Sequence, residues 1–285
     1  MTGVRENGGG MNLTSPSQVK AWCIAHDFHP NRVLGQNFLI DRNALDAIVD
    51  AGLAGVDLGA GARVLEIGPG LGVLTEEMLR RGCSVVAVEK DPVLAARLAE
   101  ALGNPPNLTV IAGDALDVIA HPGRFAEASA PFACMVSNLP YQAGTRILLD
   151  LVQLRELPAM TILVQTEVAE RLAAREGSKT RGLAGVWTQL DYDVKIVRKV
   201  AASCFWPRPE VGSTVVRLTR HDRNVMLSSE ERDLFHRLTK KAFEHRRKQL
   251  GSVFKDLIQS TARAEELSNE DWITLVKGLL SHEDA

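Results

Sequence analysis

Aromatic residues are scarce in this 285-residue chain, at 5% of positions, so any core must be built from aliphatic side chains. No apolar run is long enough to cross a bilayer, which excludes a membrane-spanning helix. The four cysteines, Cys23, Cys83, Cys134 and Cys204, lie far apart, with no CxxC pair and no histidine at zinc-ligand spacing. That excludes a disulfide scaffold and a structural zinc site, and fits reduced, buried thiols in a cytoplasm. Neither sign of charge dominates: 33 Lys and Arg stand against 35 Asp and Glu, a formal net charge of −2. A uniformly basic nucleic-acid binder is thereby excluded, though a local basic face is not. Residues 1–13, rich in Gly and Asn and without the apolar centre of a signal peptide, are expected to be a disordered leader, with Met11 as an alternative start.

What the chain does contain is alternation. Arg63 to Ile67, Ser84 to Val88, Leu108 to Ile111, Phe132 to Val136 and Met160 to Val164 read as short buried strands. Helical stretches at Leu74 to Arg81, Pro92 to Leu102 and Thr145 to Leu154 lie between them, which predicts a doubly wound α/β fold on a parallel sheet. Two further helices are expected upstream. One opens at a capping-box pattern, Ser15-Pro16-Ser17-Gln18, and one runs from about Asn43 to Gly52. Beyond a helical pair around Glu167 to Leu190, the runs Val194 to Val200 and Ser213 to Arg220 predict an antiparallel pair closing one sheet edge. From Ser228 onward the pattern is helical. The domain reading is 1–13 leader, 14–222 α/β domain and 223–285 helical domain.

The chemistry sits where strands give way to loops, as open α/β sheets require. Asn138-Leu139-Pro140-Tyr141 offers an amide oxygen, a rigidly aimed backbone carbonyl and a flat ring, which suit an exocyclic amine on a planar base. Gly68-Pro69-Gly70-Leu71-Gly72 follows the first strand and lets a ligand approach the backbone where a helix begins. Its third glycine comes one residue too early for a dinucleotide fingerprint. Glu89, 17 positions past Gly72, suits ribose hydroxyls, and Asp114 at the third strand end suits an adenine amine. The alternative for either acid is a helix N-cap.

Together these residues resemble an S-adenosylmethionine-dependent adenine-N6 methyltransferase. Gly35-Gln36-Asn37-Phe38-Leu39, Glu167 to Leu172, the spaced run Phe205-x-Pro207-x-Pro209-x-Val211-x-Ser213, and Ala242-Phe243-x-x-Arg246-Arg247-Lys248 narrow the resemblance to the KsgA-type small-subunit ribosomal RNA adenine dimethyltransferases. The resemblance implies a Rossmann-like methyltransferase sheet with a small C-terminal helical domain. It also implies dimethylation of two adjacent adenines near the 3′ end of small-subunit rRNA in a pre-ribosomal particle, by a cytoplasmic enzyme expected to be a monomer and to need no metal. Carried over by position, Asn37, Leu39, Gly68, Gly70, Glu89, Asp114, Ala115 and Asn138 hold the cofactor. Asn138, Leu139, Pro140 and Tyr141 hold the target amine, and Phe205 closes over the base.

The densest cationic cluster, Lys240, Lys241, Arg246, Arg247 and Lys248, is expected to meet RNA phosphates from one helix that also carries Arg237. The other reading of such a run is a solvated helix face. Departures from the family pattern cluster near the base pocket: Gln142-Ala143-Gly144-Thr145 replaces Asn-Ile-Ser-Thr, Arg181-Gly182 replaces Tyr-Gly, Gly185 replaces Ser, and Thr166 replaces Lys. Three rivals remain: a resistance-type large-subunit rRNA methyltransferase, an assembly factor without turnover, and an NAD-binding oxidoreductase. The last leaves both the Asn138 turn and the basic cluster unexplained.

Overall fold

The computed structural model describes residues 11–31, 34–121, 131–255 and 257–283. In chain order the N-terminal elements are α1 (Pro16–Ala25), β1 (Phe38–Leu39), α2 (Arg42–Leu53), β2 (Arg63–Ile67), α3 (Val73–Arg80), β3 (Ser84–Glu89), α4 (Pro92–Ala101), β4 (Leu108–Ala112) and α5 (Ala115–Ala120). There follow β5 (Cys134–Asn138), α6 (Gly144–Leu154), β6 (Ala159–Gln165), α7 (Thr166–Ala173), α8 (Leu183–Asp191), β7 (Tyr192–Val200), β8 (Phe205–Trp206) and β9 (Ser213–Arg220). The C-terminal helices are α9 (Ser229–Glu244), α10 (Leu250–Phe254) and α11 (Asn269–Glu283).

The main sheet has the order β4-β3-β2-β5-β6-β9-β7. Its first five strands are parallel, and β9 and β7 close the far edge antiparallel, as the sequence predicts. The chain winds outward from β2 to β4 and then returns to β5 on the other side of β2. That reversal opens a crevice at the carboxyl ends of β2 and β5, the place where open α/β sheets bind ligands.

Because successive strand residues face opposite sides, one strand feeds two cores. Leu65, Ile67, Met135 and Met160 join the cluster beneath α5, α6 and α7. Val64, Cys134, Val136 and Leu163 join the cluster beneath α2 and α3. Helix α2 ends at Leu53, within one residue of the expected stop near Gly52. Gly52 lies inside the helix, where a Cβ would come within 2.4 Å of the Val136 side chain, so its value there is close approach to β5.

The start of α1 also departs from expectation. Ser15 occupies the N-cap position but makes no capping bond; its hydroxyl meets Ser17 Oγ at 3.1 Å, and the Gln18 side chain accepts from the Asn12 N–H at 2.6 Å. Residues 1–10 of the expected leader lie outside the described residues. Leu13, assigned to that leader, is only 5% exposed and packs with Val19, Cys23, Phe28 and Phe38, because it covers apolar surface that α1 leaves open. The C-terminal helices share a third core with Val186 and Leu190 of α8, centred on Phe235, Leu250 and Trp272.

Gly185 marks a tight approach of two helices. A Cβ there would lie 2.5 Å from the Arg171 carbonyl oxygen, so α7 and α8 touch backbone to backbone at this point. Gly185→Ser should therefore destabilise the fold by about 1–3 kcal/mol, the usual range for overpacking. Urea unfolding would read this as a lower midpoint at unchanged slope.

Candidate active site

The carboxyl ends of β2 to β5 open on a cavity of about 280 Å³, which the segment Leu34 to Leu39 also lines. The glycine turn forms its floor. Gly68, Gly70 and Gly72 all have left-handed backbone, at φ of 69°, 60° and 90°. Each has a different task. The Gly68 N–H continues the β2–β3 ladder by donating to the Val88 carbonyl at 2.9 Å. Gly70 lies under the Phe38 ring, where a Cβ would come within 3.1 Å. Gly72 caps α3 against α4, and a Cβ there would meet Leu98 at 2.6 Å. The third glycine thus serves helix packing, which accounts for its spacing.

Three acids stand around the turn, and their settings differ. Glu89 is not a helix cap, since Asp91 takes that role for α4 by accepting from the Val93 and Leu94 N–H groups. Its buried carboxylate accepts from the Gly70 N–H at 3.0 Å and the Asp91 N–H at 2.8 Å, and burial pushes its pKa upward against those two bonds. Asp114 is the N-cap of α5, accepting from the Leu116 N–H at 2.9 Å, yet it still lines the cavity. Its other oxygen meets Lys90 Nζ at 2.7 Å, and that ammonium holds the Asp114 pKa below the usual carboxylate range.

The third acid, Glu66, was missed in the sequence. It is 1% exposed, accepts from Thr75 Oγ1 at 2.6 Å and lines the same cavity. Burial pushes its pKa up to about 8, the Thr75 hydroxyl pulls the other way, and the nearby Glu89 charge adds to the rise. An acid inside a buried strand directly before the glycine turn was the signal available.

The Asn138 turn closes the cavity on its other side. Ser137, just before it, accepts from the Ile67 N–H at 2.8 Å and so extends the joint between β2 and β5 beyond their backbone ladder. The Asn138 side chain donates through Nδ2 to the Asn37 carbonyl at 3.3 Å, which leaves Oδ1 as its acceptor. Leu139 N–H is bound to the Leu163 carbonyl at 3.1 Å, and the Pro140 carbonyl accepts from Gly144 N–H at 2.7 Å. Among the described residues no backbone N–H is paired with the Leu139 carbonyl. The Tyr141 hydroxyl meets Ser213 Oγ at 2.7 Å, fixing a half-buried ring at the cavity wall.

Every residue expected to hold cofactor, from Asn37 to Asn138, lines this one cavity, as do Leu139, Pro140 and Tyr141. Phe205 does not. It is 2% exposed and packs in the core with Leu39, Val200 and Val215. In the two-residue β8 it pairs with Leu39 of β1, and its ring is taken up by the core beside Val200 and Val215. The basic cluster is also divided. Helix α9 ends at Glu244, so Lys241 lies in its last turn with Lys240 just before it, and Arg246, Arg247 and Lys248 follow the helix. Arg246 donates to the Lys179 carbonyl and lies 3.6 Å from the Glu265 carboxylate, and Lys241 stands over the Phe254 ring. Lys240, Arg247 and Lys248 are exposed.

A switch-point cavity lined by a glycine turn, with an acid at the end of β3 and an amide-Pro-aromatic turn, defines a Rossmann-like methyltransferase. The profile described as Ribosomal RNA adenine dimethylase matches residues 27–277. The chain belongs to that family. It is 39% identical over 246 residues to Ribosomal RNA small subunit methyltransferase A of Alkaliphilus oremlandii, covering 84% of this chain and 82% of the relative. To the protein of the same name from Deinococcus radiodurans it is 44% identical over 207 residues, covering 72% and 67%. The fold is similar to the crystal structure of a dimethyladenosine transferase from Plasmodium falciparum, with a TM-score of 0.71 at 21% identity over 86% of this chain and 98% of that one.

Glu66 makes the site pH-sensitive in a testable way. Between the unfolded value near 4.5 and the folded value near 8, the native state holds a proton that the unfolded chain has lost, so stability falls as pH rises through this window. Glu66→Gln keeps the acceptor for Thr75 and removes the titration. Its melting temperature relative to the parent should climb steadily from pH 5 to pH 8.

Proposed function

We propose that this protein transfers methyl groups from S-adenosylmethionine to N6 of two adjacent adenines near the 3′ end of small-subunit rRNA. It does so as a cytoplasmic monomer acting on an assembling subunit. The observation that carries this reading is that the Asn138 turn and the Gly68, Glu89 and Asp114 cradle wall a single cavity, which brings an amine-binding turn to a nucleoside-binding one. No helix among the described residues is long and apolar enough to cross a membrane.

The donor set fits the cofactor. Glu89 is a buried acceptor for ribose hydroxyls, Asp114 a fixed acceptor for an adenine amine, and the left-handed Gly68 and Gly70 leave the floor free of Cβ atoms. Asn37, Leu39 and Ala115 complete the wall. S-adenosylmethionine, when bound, supplies a methyl group activated by a sulfonium.

The chain's own residues prepare the amine. An adenine N6 lone pair is delocalised into the ring, so the amine is a poor nucleophile until its hydrogens are drawn out of plane. In the first transfer Asn138 Oδ1 and the Leu139 carbonyl accept those two hydrogens, and in the second one of them accepts the single hydrogen left. Either arrangement favours the pyramidal form and steadies the positive charge that develops on nitrogen until the surplus proton is lost to solvent. Tyr141 stacks on the base, its ring held flat by Ser213. Gly144 lets α6 begin tight against this turn, since a Cβ there would come within 3.1 Å of Leu139 Cβ. The work is positioning and preorganised electrostatics, not proton abstraction.

Labelled S-adenosylmethionine with unmethylated small subunits, and large subunits as control, tests the assignment. N6,N6-dimethyladenine from the small subunit alone is the expected product, and label on the large subunit overturns the choice of substrate. Asn138→Ala should slow transfer by about 10²–10³ while cofactor affinity stays within about tenfold. Neutralising the exposed Arg247 and Lys248 should weaken RNA binding and flatten its salt dependence by about one unit per lost contact. Arg246→Ala, which breaks an internal bond, should leave that slope unchanged.

A further inference from the structure

The segment Gly35-Gln36-Asn37-Phe38-Leu39 forms one wall of the cavity, and two hydrogen bonds from side chains tie it down at opposite ends of the site. At the nucleoside end, Gln36 Nε2 donates to Asp91 Oδ2 at 2.8 Å. Asp91 is itself buried, spends its other oxygen on capping α4, and gives its N–H to Glu89. At the methyl-acceptor end, the Asn37 carbonyl receives Asn138 Nδ2. Gln36 and Asn37 are adjacent in the chain, so one stretch reaches both Asp91, whose N–H binds the Glu89 carboxylate that suits ribose, and the amide that suits the target amine.

We infer that Gln36 is a positioning residue for methyl transfer, acting through Asn138. A primary amide has two orientations related by a flip, and only the one with nitrogen toward the Asn37 carbonyl leaves Oδ1 as an acceptor for a base. The Asn37 carbonyl can select that orientation only while the segment lies closed; the β1–β8 pairing holds its far end at Phe38 and Leu39, and the Gln36 bond to a buried carboxylate holds the near end, next to Asn37. Gln36 Oε1 accepts from the Asn31 N–H at 2.7 Å, which fixes the side chain's own orientation so that Nε2 meets Asp91. A change at the nucleoside end of the cavity is thereby felt by the group that holds the amine. This inference rests on the proposed methyltransferase reading for its turnover test and on the ligand-free structure for its exchange test.

Gln36→Met keeps the length and removes the donor. Hydrogen exchange on the ligand-free protein should show residues 34–40 exchanging roughly tenfold faster in this variant, the equivalent of one hydrogen bond to a charged group, with the sheet unchanged. Unchanged exchange in that segment would sink the latch whatever the enzyme does. In single-turnover transfer to small subunits at saturating cofactor, Gln36→Met should slow the step by about tenfold, a loss that a mere wall residue would show only below saturation. The same substitution in an Asn138→Ala background should cost less than about twofold more, because the group it acts through is gone. Equal slowing in both backgrounds, or none in the first, overturns the inference. If the parent protein neither binds S-adenosylhomocysteine nor labels small subunits, the functional reading fails and the exchange result still decides the latch.

Discussion

A row of bonds across the strand ends holds this site together, and the Glu89 carboxylate is its centre. Parallel strands are joined by long crossovers, so loops that are neighbours in space are strangers in sequence and need their own fastening. Here Gly113 N–H reaches the Glu89 carbonyl, Glu89 reaches the Gly70 and Asp91 N–H groups, Ile67 N–H reaches Ser137, and Leu139 N–H reaches Leu163. Each link carries the sheet's order one step past the last ladder bond. Without them the cavity would be walled by independent loops, and the distances that make it selective would not be fixed.

The carboxylates of the cavity are set apart by surroundings alone. Glu66 and Glu89 are buried and shifted upward, while Asp114, half-buried beside Lys90, is held ionised. An ionised Asp114 is a strong acceptor at the rim, whereas a protonated Glu66 keeps a second full charge out of the floor close to Glu89. The floor can therefore be buried without bearing two adjacent negative charges, which a low-dielectric setting would penalise heavily.

The joint with the C-terminal helices is built from the loop after α7. Arg181 is 1% exposed and donates to the Ala174 carbonyl, Gln189 Oε1 and Asn269 Oδ1, all neutral acceptors, and burial lowers its pKa. Gly177 N–H donates to the Glu265 carbonyl at 2.8 Å, and Arg246 spans the same gap from the other side. Arg181 thereby reaches Asn269 at the start of α11, and Gly185 brings α7 and α8 into contact.

Much of this was legible in the chain. Alternating apolar runs gave the five parallel strands and the antiparallel edge, and the turn residues after them gave the cavity wall. Residue order and local spacing suffice for that, because strand period, glycine backbone freedom and loop position are properties of short segments. Register and packing are not. Whether Phe205 faces the cavity or the core depends on what packs around β8, and Ser15 fails to cap because its hydroxyl turns to Ser17 instead. Arg246, expected to meet phosphate, is also a brace within the fold, which the sequence could not show because its partners lie 67 and 19 positions away. The sequence by itself determined which groups stand at the strand ends. Only the tertiary structure decided which of them face one another, because that depends on contacts between segments the chain brings together last.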